Sequence, residues 1–203
     1  MLDSVHLLNP EQLEAVQHEG SPLLILAGAG SGKTRVITTK IAYLISQKGF
    51  LPSSILAVTF TKKAAKEMTE RAQKLEPLSV HSQIRTFHSF GSWFLRLHHQ
   101  EAGVDPNFTV YDDDDVTTLI RKAIPALSKQ EASQLAHKIS LAKDYCLESG
   151  SEDLVHIDNS PEFPEYYAAY DKRLRETGNV DFGDLIMLPV LVMRMKENIR
   201  SYM

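Results

Sequence analysis

A glycine-rich octapeptide near the start of the 203-residue chain carries the side chains best suited to chemistry. It reads Ala27-Gly28-Ala29-Gly30-Ser31-Gly32-Lys33-Thr34. Alternating glycines let backbone N–H groups turn toward a phosphate, an ammonium group reaches its outer oxygens, and a hydroxyl can ligate Mg²⁺. The spacing predicts a phosphate-binding loop in which Lys33 is the catalytic cation and Thr34 is the metal ligand.

The elements expected on either side would hold this loop in place. The apolar run Leu23 to Leu26 is typical of a buried strand, and a helical repeat follows at Ile37, Ile41, Leu44 and Ile45. The N-terminus of that helix would face the bound anion, and Arg35, directly after the loop, joins the nucleotide-binding candidates. Ala27 stands where the strict pattern has glycine, so a glycine-rich turn with an exposed lysine is the alternative.

Two further strand–helix units follow the phosphate loop. Apolar strands are expected over residues 55–60 and 84–87, and each leads into an amphipathic helix. Successive units of this kind imply a parallel sheet with right-handed crossovers and helices on both faces, which is an α/β fold. Ligands of such sheets bind at the carboxyl ends of the strands.

The character of the chain changes after Gly103. Polar, acidic helices are expected over residues 116–126, 129–147 and 165–176, and a more apolar helix with a kink at Pro189 over residues 182–196. Residues 1–100 hold 11 Lys and Arg against 7 Asp and Glu, whereas residues 101–203 hold 11 against 19. We therefore expect a small helical subdomain after a mildly basic first half, which permits a local groove for phosphates.

The composition is that of a globular protein, with 43% hydrophobic and 24% charged residues. Cys146 is the single cysteine, which excludes an internal disulfide and a zinc site built on paired cysteines. No apolar run approaches the roughly 18 residues of a membrane span, and the first residues lack a secretory signal. The sequence therefore predicts a cytoplasmic protein.

Several segments, in a fixed order, resemble superfamily 1 DNA helicases of the UvrD/Rep/PcrA type. Leu8-Asn9-Pro10-Glu11-Gln12, before the phosphate loop, resembles that family's Q motif. The resemblance implies that Gln12 reads the adenine edge, because an amide that donates and accepts suits adenine better than guanine. ATP would then be the nucleotide. Without this context, a solvated helix residue is the simpler interpretation of Gln12.

Two more segments resemble motifs that contact single-stranded DNA in that family. The segment 57–68 resembles motif Ia and the segment 86–90 resembles motif Ib; their candidate DNA-binding residues are Phe60, Thr61, Lys62, Thr86, Phe87 and His88. An aromatic ring at a strand's end can stack on a base, while Thr and Lys bond phosphates. The family usually has Asn at the position of Lys62. For Phe90 and Phe94 we favour the alternative, a core stripe of the helix.

The segment 180–186 resembles the one by which the family's chain returns from helical subdomain 1B to RecA-like subdomain 1A. It reads Val-Asp-Phe-Gly-Asp-Leu-Ile, with Gly183 in place of an acidic residue. The resemblance implies that residues 1–107 begin 1A, residues 108–179 form 1B as a helical insertion, and residues 180–203 return to 1A. Lys138 and Lys143 would be basic candidates for duplex contact, although a solvated helix face explains them equally well.

A carboxylate pair for ATP hydrolysis is missing from the sequence. The dipeptide Asp-Glu, typical of a Walker B strand, occurs nowhere in the 203 residues. The nearest candidate is the segment 108–113, but we interpret Asp112 as a helix N-cap followed by acids that the helix dipole favours. We therefore expect an N-terminal fragment without the Walker B strand, the arginine finger and the second RecA-like subdomain.

The leading hypothesis is the N-terminal part of an ATP- and Mg²⁺-dependent 3′-to-5′ DNA helicase of repair or replication, inactive by itself. Its partners would be single-stranded DNA and duplex junctions, and its oligomeric state is left open. The helicase part of a recombination helicase–nuclease is a close alternative. A small-molecule kinase would need an arginine-rich lid where this chain is acidic. A non-enzymatic, nucleotide-gated DNA-binding module is the remaining alternative.

Overall fold

The computed structural model describes residues 8–28 and 30–202. The chain divides into two compact units, one up to Phe87 and one from His88 onward. None of the helices in the described residues is both long enough and apolar enough to span a bilayer. The predicted boundaries at residues 107/108 and 179/180 both fall within the second unit, and the assignment to subdomains 1A and 1B stays a prediction.

The described residues of the first unit form three α-helices and a two-stranded parallel sheet. Its elements are α1 (Pro10–Gln17), α2 (Lys33–Ser46), β1 (Leu56–Thr59), α3 (Lys62–Leu75) and β2 (Gln83–Thr86), with 3₁₀ turns at Pro52–Ser54 and Pro77–His81. The strands pair in register from Leu56 opposite Gln83 to Thr59 opposite Thr86. The predicted strand–helix alternation of this segment is therefore confirmed for β1 and β2.

Local side-chain bonds fix where the helices of the first unit begin. The Asn9 side chain accepts a hydrogen bond from the Gln12 N–H, and the Gln12 side chain accepts one from the Asn9 N–H, which is a capping box. The Thr61 side chain caps α3 by accepting from the Ala64 N–H. Helix α2 instead begins after Gly32, whose φ of 89° is readily adopted only by glycine.

The expected strand before the phosphate loop is not formed. Residues 23–26 lie outside any strand, and Leu24 and Leu26 are 81% and 86% exposed. A strand is defined by its ladder to a neighbour, and β1 pairs only with β2 among the described residues. Leu23 and Ile25 line an apolar cavity of about 670 Å³ with residues of α2 and β1. The prediction of a buried strand here is wrong for this chain.

The second unit is mainly helical. Its elements are α4 (Phe87–Leu97), α5 (His99–Ala102), β3 (Val110–Tyr111), α6 (Asp113–Ala123), α7 (Lys129–Asp144), α8 (Glu162–Glu176), β4 (Val180–Asp181), α9 (Asp184–Met195) and α10 (Glu197–Tyr202), with a 3₁₀ turn at Glu152–His156. Strands β3 and β4 pair in parallel, with Val110 opposite Val180. This pairing brings together the two ends of the segment predicted as the helical insertion.

The acidic run after β3 starts a helix, as the sequence predicts. Asp112 is the N-cap of α6, and its side chain accepts from the N–H groups of Asp114 and Asp115. The three Asp residues of the first turn lie at the positive end of the helix dipole. The interpretation of Asp112 as a helix N-cap is confirmed.

Two apolar clusters hold the second unit together. One lies among α6, α7 and α8 and includes Ile120, Ile139 and Tyr170; the other includes Phe94 and Leu185 from α4 and α9. Helices α4 and α9 approach so closely that a Cβ atom at position 91 would lie 1.7 Å from the Leu185 carbonyl oxygen. Gly91 is therefore required for this contact.

The part of the chain that the structure describes has a mixed α/β fold that is mostly helical, with two small parallel sheets. The predicted helix over residues 182–196 is observed as α9, which begins two residues later and contains Pro189. The predicted helix over residues 129–147 ends at Asp144 instead, where the chain turns and Cys146 adopts a φ of 57°. A larger RecA-like sheet with helices on both faces stays a prediction.

Candidate nucleotide and nucleic-acid sites

The phosphate-loop residues lie between the exposed segment 23–26 and α2. Gly30 and Gly32 have φ values of 76° and 89°, in the left-handed region that favours glycine. Ala27, Gly28, Gly30 and Ser31 are exposed, and Ala29 lies outside the described residues. The loop therefore offers its backbone to solvent directly before the N-terminus of a 14-residue helix.

The Lys33 ammonium group lies across the loop that precedes it. Its Nζ donates to the carbonyl oxygens of Ala27 at 2.7 Å and Gly28 at 2.6 Å. The Ser31 hydroxyl donates to the same Gly28 oxygen at 2.8 Å. Lys33 is exposed, so its ammonium can exchange these carbonyl oxygens for phosphate oxygens by rotation of its own side chain.

Thr34 and Arg35 occupy the first turn of α2. Thr34 is half-buried, and its carbonyl oxygen accepts from the Thr38 hydroxyl at 2.9 Å, whereas Arg35 is exposed. Within residues 8–28 and 30–202, no three His, Cys, Asp or Glu side chains form a metal site. One hydroxyl nevertheless fits Mg²⁺, which keeps most of its waters and binds proteins through few side chains together with substrate phosphates.

Gln12 contacts the phosphate loop directly. Its Nε2 donates to the Ser31 carbonyl oxygen at 2.9 Å, and its Oε1 accepts from the Asn9 N–H at 3.1 Å. The same Nε2 lies so near Gly32 that a Cβ atom there would be only 2.8 Å away. The structure thus brings Gln12 to the loop, with both ends of its amide already bonded. The spacing of Asn9 and Gln12 is that of a capping box, and this sequence signal predicts the bond from the Asn9 N–H to Gln12 Oε1.

Phe60 and Phe87 form an exposed aromatic pair at the carboxyl ends of β1 and β2. Thr59 is opposite Thr86 in the register, so the next residue of each strand carries a ring at the same edge. The ring centroids are 5.5 Å apart with a 45° interplanar angle, and Phe60 is 87% exposed. A base could stack on this surface without displacing any core residue.

The other DNA-binding candidates of the first unit differ in accessibility. Lys62 is exposed, whereas Thr86 is only 6% exposed, and its role in DNA binding stays a prediction. The Thr61 hydroxyl accepts from the Ala64 N–H at 3.1 Å, which leaves its proton for another acceptor such as a phosphate oxygen.

His88 begins the second unit and lies against Phe182, for which the sequence predicts no binding role. Its ring meets that of Phe182 edge to face, with 5.6 Å between the centroids, and Phe182 is 51% exposed. Phe94 is fully buried and Phe90 is half-buried, which confirms their assignment to the core stripe of α4. In the sequence, the signal for a role of Phe182 is its position between Asp181 and Asp184.

A buried ion cluster lies next to Phe182. Lys143 of α7 is 1% exposed, and its Nζ bonds Asp181 at 2.6 Å and Asp184 at 2.7 Å. Arg175 bonds the other oxygen of Asp184 at 2.8 Å, and the Tyr170 hydroxyl donates to Asp181 at 2.7 Å. Lys143 therefore lies neither on a solvated face nor on a DNA-accessible surface, and both interpretations of it from the sequence are wrong.

The ionisation of this cluster follows from its burial and its pairing. Although burial alone would lower the pKa of Lys143, the carboxylates of Asp184 and Asp181 raise it overall. Burial alone would likewise raise the pKa of Asp181, but the Lys143 ammonium lowers it overall. Lys143 and Asp181 therefore both carry charge at neutral pH. Lys138, on the same helix, pairs instead with Asp158 and is half-exposed.

Comparison with known sequences identifies the family of the chain. The UvrD/REP helicase N-terminal domain family matches residues 8–203, which is nearly the whole chain. The chain belongs to this family. The chain is 38% identical over 200 residues to ATP-dependent DNA helicase Rep of Escherichia coli, a match that covers 96% of this chain and 30% of that protein.

Two other relatives of the chain are also DNA helicases of this family by name. Identity to ATP-dependent DNA helicase PcrA of Bacillus subtilis is 39% over 196 residues, covering 90% of this chain and 26% of that protein. Identity to UvrD1 of Mycobacterium leprae is 40% over 195 residues, covering 88% and 24%. This member of the UvrD/REP family thus spans less than a third of the length of these relatives.

Proposed function

We propose that this chain is the N-terminal ATP-binding part of an ATP-dependent 3′-to-5′ DNA helicase of repair or replication. The exposed glycine loop before α2, with Lys33 across it, is the observation that carries the proposal. The relatives are named ATP-dependent DNA helicases, which supports the reaction class. Residues 1–107 and 180–203 would belong to a RecA-like subdomain 1A, with 108–179 inserted as subdomain 1B.

In this proposal the loop residues bind the triphosphate. Backbone N–H groups from Gly28 to Thr34 face the phosphates, and the Lys33 ammonium leaves the carbonyls of Ala27 and Gly28 to neutralise the outer oxygens. Thr34 would hold Mg²⁺, which would neutralise phosphate charge when bound. Gln12 would read the adenine edge, and Arg35 would add a further contact to the nucleotide.

The DNA track would pass the carboxyl edge of β1 and β2. Phe60 and Phe87 would supply the stacking surface, and Thr61 and Lys62 would bond the phosphates beside it. His88 would contribute a further backbone contact from the start of α4. A motor requires a nucleotide loop and a DNA track that are coupled, and in this proposal both lie in the first unit, the loop before α2 and the stacking pair at the ends of β1 and β2.

Phosphoryl transfer to water also requires acidic residues that hold Mg²⁺ and orient the attacking water. The sequence has no Asp-Glu dipeptide to supply them. We propose that residues elsewhere in a longer protein complete the site, so that this chain binds nucleotide weakly and neither hydrolyses ATP efficiently nor unwinds DNA. Steady DNA-stimulated ATP turnover by the purified 203-residue chain would contradict this.

Titration with a fluorescent ATP analogue tests the phosphate loop. Lys33→Ala should weaken binding at least about tenfold, because a charge-assisted contact is worth roughly 1.5–3 kcal/mol. Lys74→Ala removes an exposed lysine from the last turn of α3 and serves as the matched control. Equal affinities for the wild-type chain and Lys33→Ala would reject the phosphate loop as the site.

A further inference from the structure

The segment from Asp181 to Asp184 is held in a closed turn by its own two carboxylates. The Asp184 N–H donates to Asp181 Oδ1 at 2.9 Å, and the Asp181 N–H donates to Asp184 Oδ2 at 3.2 Å. Each carboxylate therefore satisfies the backbone of the other, and each also binds Lys143. We call these three side chains the lysine clamp. Phe182 lies at the middle of the turn that the clamp closes.

Lys143 fits into this turn only because position 183 is glycine. A Cβ atom at Gly183 would lie 2.8 Å from Cδ and 2.9 Å from Cβ of Lys143. Real Cβ atoms essentially never approach other atoms so closely, so the lysine stem occupies the space of a side chain at position 183. The acidic residue that the family pattern has at this position would therefore displace the lysine in this chain.

Stability alone does not explain a clamp of this kind. Well-packed apolar residues often stabilise a core as well as a buried ion cluster does, since desolvation offsets much of the ionic attraction. Helix α7 already has an apolar face, with Ile139 and Ala142 buried in the helical core. The ion cluster also fixes the geometry of the turn, because the two short bonds from the Lys143 ammonium hold Asp181 and Asp184, the two ends of the turn, in place.

The residue whose position is fixed in this way is Phe182. It stays 51% exposed although its neighbours Asp181 and Asp184 are buried, and its ring meets the exposed ring of His88 edge to face. The turn therefore presents Phe182 outward at one defined place. His88 is a DNA-contact candidate, and its imidazole has Phe182 as a lateral support.

We propose that Lys143 is a positioning residue for the DNA-contacting surface: through the lysine clamp it sets Phe182 against His88 and so orients the His88 imidazole. The proposal rests on the proposed function, in which His88 contacts the DNA backbone. Lys143 itself touches no DNA, because it is buried. The helix of the predicted insertion thereby controls the geometry of a contact at the start of α4.

NMR of the 203-residue chain with isotope-labelled histidine measures the orientation directly. The aromatic ring of Phe182 shifts the His88 side-chain resonances, and Phe182→Leu gives their positions without the ring. We expect Lys143→Met to move the His88 resonances most of the way toward those of Phe182→Leu. Lys129→Met, an exposed lysine of the same helix, should leave them unchanged.

A second variant keeps the test decisive if Lys143→Met does not fold. Gly183→Ala retains the lysine but fills its space, and should move the same resonances in the same direction. Unchanged His88 resonances in a folded variant of either kind would overturn the proposal. If Lys143 had only a structural role, its replacement would lower the stability of the chain without moving the His88 resonances.

Binding of a fluorescent oligo-dT strand separates this proposal from the proposed function. We expect His88→Ala and Lys143→Met each to weaken binding about fivefold, roughly the effect of one lost contact. If the resonances move but His88→Ala binds DNA normally, the clamp stands as a positioning device and the proposed DNA contact of His88 fails. If His88→Ala weakens binding and Lys143→Met does not, the positioning role is overturned.

Discussion

At the scale of single residues, the site candidates differ in how much of their bonding capacity is already used. Phe60 is exposed and contacts Phe87, so its outer face is available to a base. Gln12 has both ends of its amide engaged, and Lys33 bonds two carbonyl oxygens. Nucleotide binding must therefore exchange existing bonds, whereas base stacking on Phe60 only adds contact area.

Phe60→Ala should weaken binding of single-stranded DNA about 5- to 100-fold, because stacking on an aromatic side chain is worth roughly 1–3 kcal/mol. Fluorescence anisotropy with a labelled oligo-dT strand measures this. Phe50→Ala removes a phenyl ring that is 50% exposed elsewhere in the same unit, and should leave DNA affinity unchanged. Equal losses in both variants would indicate general damage to the unit rather than a stacking site.

Gln12→Ala should lower the affinity for ATP more than the affinity for GTP. An amide that donates and accepts complements the adenine edge, whereas the bond from Gln12 to Ser31 affects the loop for any nucleotide. Competition of both nucleotides against a fluorescent analogue provides the comparison. Equal losses for ATP and GTP would assign Gln12 to holding the loop, and the adenine-reading role would be abandoned.

At the scale of elements, close packing of α4 against α9 determines where the flanking residues lie. Gly91 allows the backbone of α9 to approach α4, and Phe94 and Leu185 bury their side chains at the same contact. His88 is in the first turn of α4, and Asp184 begins α9. The helix pair that anchors this core therefore also carries the ends of the clamped turn.

Gly91→Ala should destabilise the chain by at least about 2 kcal/mol, since the added methyl group overlaps the Leu185 carbonyl and the helices must separate. Helix propensity alone predicts the opposite, a gain of roughly 1 kcal/mol. Urea unfolding followed by circular dichroism distinguishes the two. Gly150→Ala, where an added Cβ meets nothing within 4 Å, is the control and should change stability little. A stabilised Gly91→Ala variant would refute the close contact.

At the scale of the whole molecule, local signals in the sequence predict more than non-local ones. The N-cap at Asp112 and the helical spacing that places Phe94 on the core stripe of α4 both depend on neighbouring residues, and both are observed. The segment 23–26 was misjudged because a strand needs a partner that its own residues do not specify.

Lys143 was misjudged for a related reason. Its burial depends on Asp181 and Asp184, about forty residues further along the chain, and on the space left by Gly183. Non-local contacts were also missed at the candidate site. Motif spacing identifies Lys33 and Phe60, but only the structure shows the contact of Gln12 with Ser31 and that of His88 with Phe182.

The lysine clamp should make the stability of the molecule depend on pH with a defined sign. Lys143 lowers the pKa of Asp181 below that of the unfolded chain, so this carboxyl contributes stability above about pH 4 that is lost as the pH falls. In Lys143→Met the same carboxyl stays buried without the ammonium, and its pKa rises above the unfolded value. The variant then gains relative stability on acidification, because its folded state takes up a proton.

We therefore expect Lys143→Met to be less stable than the wild-type chain by about 3–5 kcal/mol at pH 7, the usual cost of an unpaired buried charge. The difference should shrink steadily as the pH is lowered toward 4. Urea unfolding at several pH values measures it. Lys138→Met breaks the more exposed pair with Asp158 and should cost less than about 1 kcal/mol at pH 7. A difference for Lys143→Met that stays constant or widens in acid would mean that Asp181 does not depend on Lys143 for its charge.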